Sequence, residues 1–145
     1  MRGLDGLAEK DYSQRDVVDK LGIKPGFAIA FDEAPRPIPD DVKARVLARV
    51  GRDEARADEP VDVVLVGADA STDVEAVLKR WRKRIDQAGG TWLLTPKRGQ
   101  PGYVDQTELI LAGPNAGVVD NKTCSVSTTL SAIRFVIRKA DRVYS

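Results

Sequence analysis

Charged and hydroxyl side chains follow three apolar runs of this sequence, at the points where predicted strands end. Ligands of open parallel sheets bind beyond the carboxyl ends of the strands, so these side chains are candidates for ligand binding. The candidates are Asp32, Glu33, Arg36, Asp69, Ser71, Lys97 and Arg98. Carboxylates that face a lysine and an arginine can orient a small polar or phosphorylated ligand. The alternative is that these groups are solvated loop charges with little energetic effect.

The same residues also support an enzymatic hypothesis, in which Asp32 or Asp69 is the base and Lys97 stabilises charge on a small anionic substrate. The sequence contains no histidine, which removes the commonest general base and the common histidine-containing zinc sites. It also has neither a metal-ligand cluster nor a glycine-rich phosphate loop. We therefore favour a non-catalytic binding or regulatory domain that acts on a protein partner or a small ligand, and we expect no metal and no cofactor.

A basic run surrounds Trp81 and offers a third hypothesis. Basic residues around an aromatic ring can hold nucleic-acid phosphates and stack a base. The candidate contacts are Lys79, Arg80, Lys83 and Arg84. Helical geometry instead puts Trp81 on the apolar stripe and the cations on the opposite arc, which predicts a core tryptophan and a solvated face.

Cys124 is the single cysteine, so it cannot form an internal disulfide. It follows Lys122 on the same face of a predicted strand, and a nearby ammonium can lower the pKa of a thiol and make it reactive. The alternative is that Cys124 is a small core residue, the usual role of a free cysteine. Alternation along the strand leaves both interpretations open.

The elements that position these residues alternate between helix and strand. The predicted strands are FAIAF, VDVVLVG, TWLLT, VVDNKTCSVS and SAIRFVIRK, and the last two form a hairpin. Three predicted helices begin at caps, namely Ser13, Asp40 and Thr72 (in a Thr72-x-x-Glu75 capping box), and end at Lys20, near Val50 and at Gly89-Gly90. The fourth predicted helix spans Asp105 to Ala112. This order predicts an α/β, three-layer Rossmann-like fold with a mostly parallel sheet of about five strands and a C-terminal antiparallel hairpin.

Composition places the chain among ordinary globular proteins, with a formal net charge of only +1. We expect a flexible N-terminal arm over residues 1–12 and a single α/β domain over residues 13–145. No apolar run is long enough to span a bilayer, and the first residues have no apolar core of signal-peptide type. These features predict a cytoplasmic protein that does not bind a membrane.

Four segments resemble class I methyltransferases: LGIKPGFAIAF, VDVVLVG, IDQAGGTWLLTPK and the closing VVDNKTCSVSTTLSAIRFVIRK. Those enzymes carry a glycine-rich turn after the first strand, where the backbone approaches the cofactor. This chain has Asp32-Glu33-Ala34-Pro35-Arg36-Pro37 there, with no glycine and two prolines. The resemblance therefore implies a reduced methyltransferase-like fold without methyl transfer.

A closer resemblance involves Leu21-Gly22-Ile23-Lys24-Pro25-Gly26, the Pro96-Lys97 pair and the closing segment. These residues resemble a family of small, chiefly actinobacterial proteins, the domain of unknown function number three thousand and fifty-two. The resemblance covers Tyr12 to Lys139, and the family carries no assigned activity.

Overall fold

The computed structural model describes residues 17–143. The predicted arm over residues 1–12 and the predicted helix cap Ser13 lie outside this range. Residues 17–20 are helical and precede the first strand. The remaining elements are β1 (Ile29–Asp32), α1 (Asp40–Val50), β2 (Val61–Gly67), α2 (Val74–Arg82), β3 (Ile85–Pro96), α3 (Gln106–Asn115), β4 (Val119–Ser125), β5 (Leu130–Val136) and a 3₁₀ turn (Lys139–Asp141).

The five strands form one sheet in the order β1-β2-β3-β5-β4. β1, β2 and β3 are parallel, whereas β5 is antiparallel to both of its neighbours, β3 and β4. The predicted fold class is confirmed, including the antiparallel hairpin that β4 and β5 form. Because β4 runs parallel to β3, the carboxyl ends of β1, β2, β3 and β4 meet at one edge of the sheet.

Alternate residues of the strands pack into two apolar clusters, one on each face of the sheet. On one face, α1 and the segment around Leu21 pack against residues such as Leu65 and Trp92. On the other face, α2 and α3 pack against residues such as Leu93 and Phe135. Helices on both faces of a mostly parallel sheet make the predicted three layers.

The boundary between α2 and β3 differs from the prediction. The helix was expected to continue to Gly89-Gly90, but it ends at Arg82, and Ile85 already pairs with Val61 as the start of β3. Ile85 is buried in the same cluster as the apolar stripe of α2. Its apolar character therefore fits a continued helix and a strand equally well, and the apolar period alone could not separate the two.

The predicted caps of α1 and α2 are also wrong. Pro39 precedes α1 without a side-chain cap, and Asp40 is its first residue, where its charge favours the positive end of the helix. Asp73 caps α2 by accepting a hydrogen bond from the backbone N–H of Ala76. The Thr72 hydroxyl instead accepts from the backbone N–H of Asp69 and so closes the turn after β2.

Helix α3 is longer than predicted. Asp105 is its cap and not its first residue, and the helix continues past Ala112 to Asn115, with Pro114 inside its last turn. Proline has no backbone N–H, so this last turn lacks the regular hydrogen bond that an N–H at position 114 would donate. Within residues 17–143, none of the helices has the length and apolar character needed to cross a membrane.

Candidate functional site

The proline-rich loop of residues 33–38 folds over the carboxyl end of β2. Its last residue, Ile38, is buried, and its backbone N–H donates to the Glu33 carboxylate at 2.9 Å. Gly67 ends β2, and a Cβ at this position would collide with the backbone carbonyl oxygen of Arg36. The loop therefore occupies the space beyond β2 with its own backbone, and only glycine at position 67 permits this contact.

Arg36, Asp69 and Ser71 are the candidate residues that the fold brings into direct contact. A guanidinium N–H of Arg36 donates to the Asp69 carboxylate at 3.1 Å. The other carboxylate oxygen accepts from the Ser71 hydroxyl at 2.6 Å and from its backbone N–H at 2.9 Å. The Ser71 bonds, assisted by Arg36, hold the pKa of Asp69 below its usual range.

Asp32 is buried at the end of β1 and belongs to a different cluster. One of its oxygens accepts from the indole N–H of Trp81 at 2.8 Å and from Arg80, and the other accepts from the backbone N–H of Ala34 at 3.1 Å. Burial favours the neutral carboxyl, but the bonds from Trp81, Ala34 and Arg80 outweigh it, so the pKa of Asp32 lies below its usual value. The sequence pattern did not predict this cluster, because helical periodicity places Arg80 on a solvated face.

Two more candidates also pair locally. Glu33 accepts from the Lys43 ammonium at 2.9 Å, and its bonds to the Ile38 N–H and to Lys43 lower its pKa. The Arg98 guanidinium lies over the ring of Tyr103, 5.3 Å from the ring centre. Neither residue joins the Asp69 cluster or the Asp32 cluster.

Lys97 opens onto a cavity of about 660 Å³ between α1 and the turn that joins β4 to β5. Its ammonium donates to the Ser125 hydroxyl at 2.6 Å, and its backbone N–H donates to the Thr129 carbonyl at 2.8 Å. The lining consists of Val17, Lys20, Pro39, Asp41, Val42, Arg45, Lys97, Ser125, Val126, Ser127, Thr128 and Thr129. Among the described residues of this lining, three are cationic, one is acidic and four carry hydroxyl groups, so the lining is polar.

Lys97 is the only residue of the predicted site that lines this cavity. The hydroxyl residues of the β4–β5 turn were predicted only as part of a hairpin. A signal was nevertheless present, because Ser125, Ser127, Thr128 and Thr129 are concentrated at the carboxyl end of a strand that is parallel to β3. Arg45 and Asp41 gave no such signal, since their position beside the cavity depends on how α1 packs against the sheet.

The basic helix face is largely engaged within the protein. Trp81 is 8% exposed, as predicted for a core residue. Lys79 pairs with Glu75 at 3.1 Å, Arg80 pairs with Asp32, and Arg84 lies over the Trp81 ring at 5.2 Å. Of the four candidate nucleic-acid contacts, three therefore have partners within the chain, and the description of the cations as a freely solvated face was too simple.

Cys124 is half-buried in β4 and packs against the cluster that contains Trp92. This position fits a small core residue, while the reactive thiol stays a prediction. Residues 17–143 hold no group of three or more histidine, cysteine or acidic side chains suited to a metal ion.

Comparison with known families and sequences gives a consistent set of relatives. A family model described as "Protein of unknown function (DUF3052)" matches residues 18–139. Two mycobacterial proteins, Rv2239c of Mycobacterium tuberculosis (strain H37Rv) and Mb2263c of Mycobacterium bovis, are described as uncharacterized. Each is 32% identical to this chain over 124 residues, which cover 83% of this chain and 78% of the relative.

Several solved structures of similar fold are methyltransferases. The O-methyltransferase NcsB1 from neocarzinostatin biosynthesis matches with a TM-score of 0.64 at 10% identity, over 86% of this chain and 52% of NcsB1. A putative type 11 methyltransferase from Sulfolobus solfataricus matches with a TM-score of 0.54 at 10% identity, over 88% of this chain and 92% of that protein. At these identities the likeness shows the fold alone.

Proposed function

This chain belongs to the DUF3052 family of proteins of unknown function, and from that premise we propose that it is a non-catalytic binding domain for a small, negatively charged ligand. The observation that carries the proposal is the cavity at the carboxyl edge of the sheet, where Lys97 meets the hydroxyl groups of the β4–β5 turn. Ligands of α/β sheets bind at this edge. We place this activity in the cytoplasm, in keeping with the single cysteine.

The composition of the cavity supports an anionic ligand. Lys20, Arg45 and Lys97 contribute three positive charges to the lining, against one negative charge from Asp41. Hydroxyl groups add neutral donors that can hold carboxylate or phosphate oxygens. A volume of about 660 Å³ lies within the range that small-molecule sites occupy.

The enzymatic alternative has weaker support, because both proposed bases are stabilised as carboxylates. Asp32 accepts three hydrogen bonds and Asp69 is paired with Arg36, and the pKa of each is lowered. A general base works best with a pKa close to the working pH, so lowering moves both groups away from the useful range. Neither carboxylate lines the Lys97 cavity.

A methyltransferase-like cofactor site also has weak support. In the methyltransferases that this chain resembles, a glycine-rich turn after the first strand leaves room for the cofactor. Here the loop over residues 33–38 fills the space beyond β2, where its Arg36 carbonyl contacts Gly67. Binding a large cofactor there would require this loop to leave the sheet edge.

The proposal is tested with a thermal-shift screen against nucleotides, S-adenosylmethionine, coenzymes and phosphorylated metabolites. A ligand that binds only the folded protein at about 100 times its Kd adds about 2.7 kcal/mol of stability. We expect a hit whose shift is lost in Lys97→Ala and kept in Arg98→Ala, a matched control that removes a neighbouring charge outside the cavity. A screen without a hit, or a shift that Lys97→Ala retains, would contradict the proposal.

A further inference from the structure

A second group of cations lies on the sheet face that packs against α1, near the amino end of β3. Arg134 of β5 is directly opposite Trp92 of β3 on one side and Lys122 of β4 on the other. Residues directly opposite each other in a sheet project from the same face. Arg134 is half-buried, and its guanidinium lies close to Gly90 of β3.

Gly90 makes this position of the guanidinium available. A Cβ at residue 90 would stand 2.5 Å from Nε of Arg134 and 2.9 Å from Cζ, which is closer than real side chains approach. The sequence analysis interpreted Gly89-Gly90 as the stop signal of a helix. Within β3, the second glycine instead leaves space for a charged group against the sheet.

The Arg134 guanidinium has no hydrogen-bond or ion-pair partner within residues 17–143. Its cross-strand neighbour Lys122 carries a like charge, and like charges directly opposite each other destabilise a sheet. Asp62 and Asp86 are nearby, but each is used to accept a backbone N–H, from Ala28 at 2.8 Å and from Ala88 at 3.0 Å. Both carboxylates keep their negative charge beside the cavity, but neither lies within ion-pair distance of Arg134. The fold thus partly desolvates a guanidinium without a direct ion pair, which is costly.

These groups surround a cavity of about 380 Å³. It is lined by Leu21, Gly22, Lys24, Phe27, Asp62, Val63, Asp86, Ala88, Gly89, Trp92, Lys122 and Arg134. Three cations, Lys24, Lys122 and Arg134, therefore line one cavity, together with the carboxylates of Asp62 and Asp86. The cavity is separate from the one that Lys97 lines, with which it shares no residue.

We propose that this cavity binds the phosphoryl group of a small phosphate monoester, with Arg134 as the principal ligand and Lys122 and Lys24 as flanking charges. The guanidinium fork matches two phosphate oxygens at once. The described lining carries three cations and two carboxylates, Asp62 and Asp86, so its formal charge is +1. A phosphoryl group offers three oxygens to the cationic donors, whereas a carboxylate offers two. Burial, followed by repulsion from Arg142, lowers the pKa of Arg134, and a bound anion would relieve both effects.

The test is calorimetric titration with two probes, inorganic phosphate and ribose 5-phosphate, in buffers whose ionic strength is matched with sodium chloride. Arg134→Gln removes the charge, and Gly90→Ala keeps the charge but displaces the guanidinium. We expect each variant to bind both probes at least about tenfold more weakly than the wild type, the scale of one lost charge-assisted hydrogen bond. Lys139→Gln removes an exposed charge outside the cavity and should bind like the wild type.

A second readout keeps the test independent of variant stability. In the wild-type protein, the Nε–Hε NMR signal of Arg134 should shift on addition of ribose 5-phosphate, together with the amide signals of Gly89 and Gly90. Lys122→Gln, at an exposed position, should weaken binding without unfolding the protein. Equal affinities in the wild type and Gly90→Ala, or an unshifted Arg134 signal at saturating probe, would overturn the proposal.

Discussion

The buried contact between Asp32 and Trp81 makes a quantitative prediction about stability. In Asp32→Ala, the indole N–H of Trp81 loses its acceptor in a position that is 8% exposed. An unsatisfied buried donor costs about 1–3 kcal/mol, and the lost bond from the Ala34 N–H adds about 1 kcal/mol. Arg80 is more than half exposed, so its ion pair adds at most about 1 kcal/mol. We expect Asp32→Ala to lower the free energy of unfolding by about 3 kcal/mol.

The companion variant Trp81→Phe separates the loss of the hydrogen bond between Trp81 and Asp32 from a simple loss of packing. In the wild-type background it removes a satisfied donor and should destabilise the protein by about 1 kcal/mol. In the Asp32→Ala background it removes an indole N–H that has already lost its acceptor, so it should leave the free energy of unfolding unchanged or raise it. Urea unfolding followed by circular dichroism at pH 7 measures all four proteins. Equal destabilisation by Trp81→Phe in both backgrounds would refute the reasoning.

The pH dependence gives the same contact a second signature. Because the pKa of folded Asp32 is lowered, the stability that its ionised form contributes is fully present above the unfolded pKa of about 4 and is lost as the pH falls through the folded value. The stability difference between the wild type and Asp32→Asn should therefore be constant from pH 7 to about pH 5 and should shrink below about pH 4. A difference that grows as the pH falls would contradict the assigned sign.

Three further predictions concern other contacts. Gly67→Ala forces a Cβ against the Arg36 carbonyl and should lower the free energy of unfolding by about 2–4 kcal/mol in urea titrations. If the proline-rich loop moves away instead, limited proteolysis of that loop should become faster. Trp92→Phe leaves a buried backbone carbonyl without its indole donor, 3.0 Å away in the wild type, and should cost about 1–3 kcal/mol by the same titration. The hydrogen bonds from Arg52 and from a backbone N–H lower the pKa of Glu59 from 4.5 to about 2. The stability that this ionised carboxylate contributes is therefore present above pH 4.5 and is lost as the pH falls toward 2. In Glu59→Gln, the melting temperature should change less over that pH interval than it does in the wild type.

The apolar runs predicted the sheet well because burial on both faces leaves a continuous signal in the sequence. VDVVLVG became β2 with the predicted bounds, Val61–Gly67. The start of β3 was missed because residues 85–90 combine two apolar residues with two polar ones and two glycines, which is typical of a helix end. In the fold, those residues extend a strand, and one of the glycines makes room for Arg134.

The candidate site was predicted less completely, since the position of a side chain along a strand does not reveal its partner. Asp32 and Asp69 both follow strands, yet Asp32 binds a tryptophan 49 residues away and Asp69 binds Arg36, 33 residues away. These pairings depend on how α2 and the proline-rich loop pack against the sheet. Lys97 was predicted, but the turn that faces it belongs to β4 and β5, whose order in the sheet no local pattern encodes.

The position of β5 has a consequence for synthesis of the protein. Among the five strands, β5 leaves the ribosome last, yet it lies inside the sheet between β3 and β4. Until β5 emerges, β3 carries an unpaired edge beside Trp92 and Leu93, the kind of edge on which nascent chains aggregate. The helices and strands β1 to β3 can be complete while β4 still has no strand to pair with. We therefore expect the sheet to remain incomplete until β5 has been synthesised. Insertion of β5 between β3 and β4 then completes the sheet in one late step and buries Ile133 and Phe135.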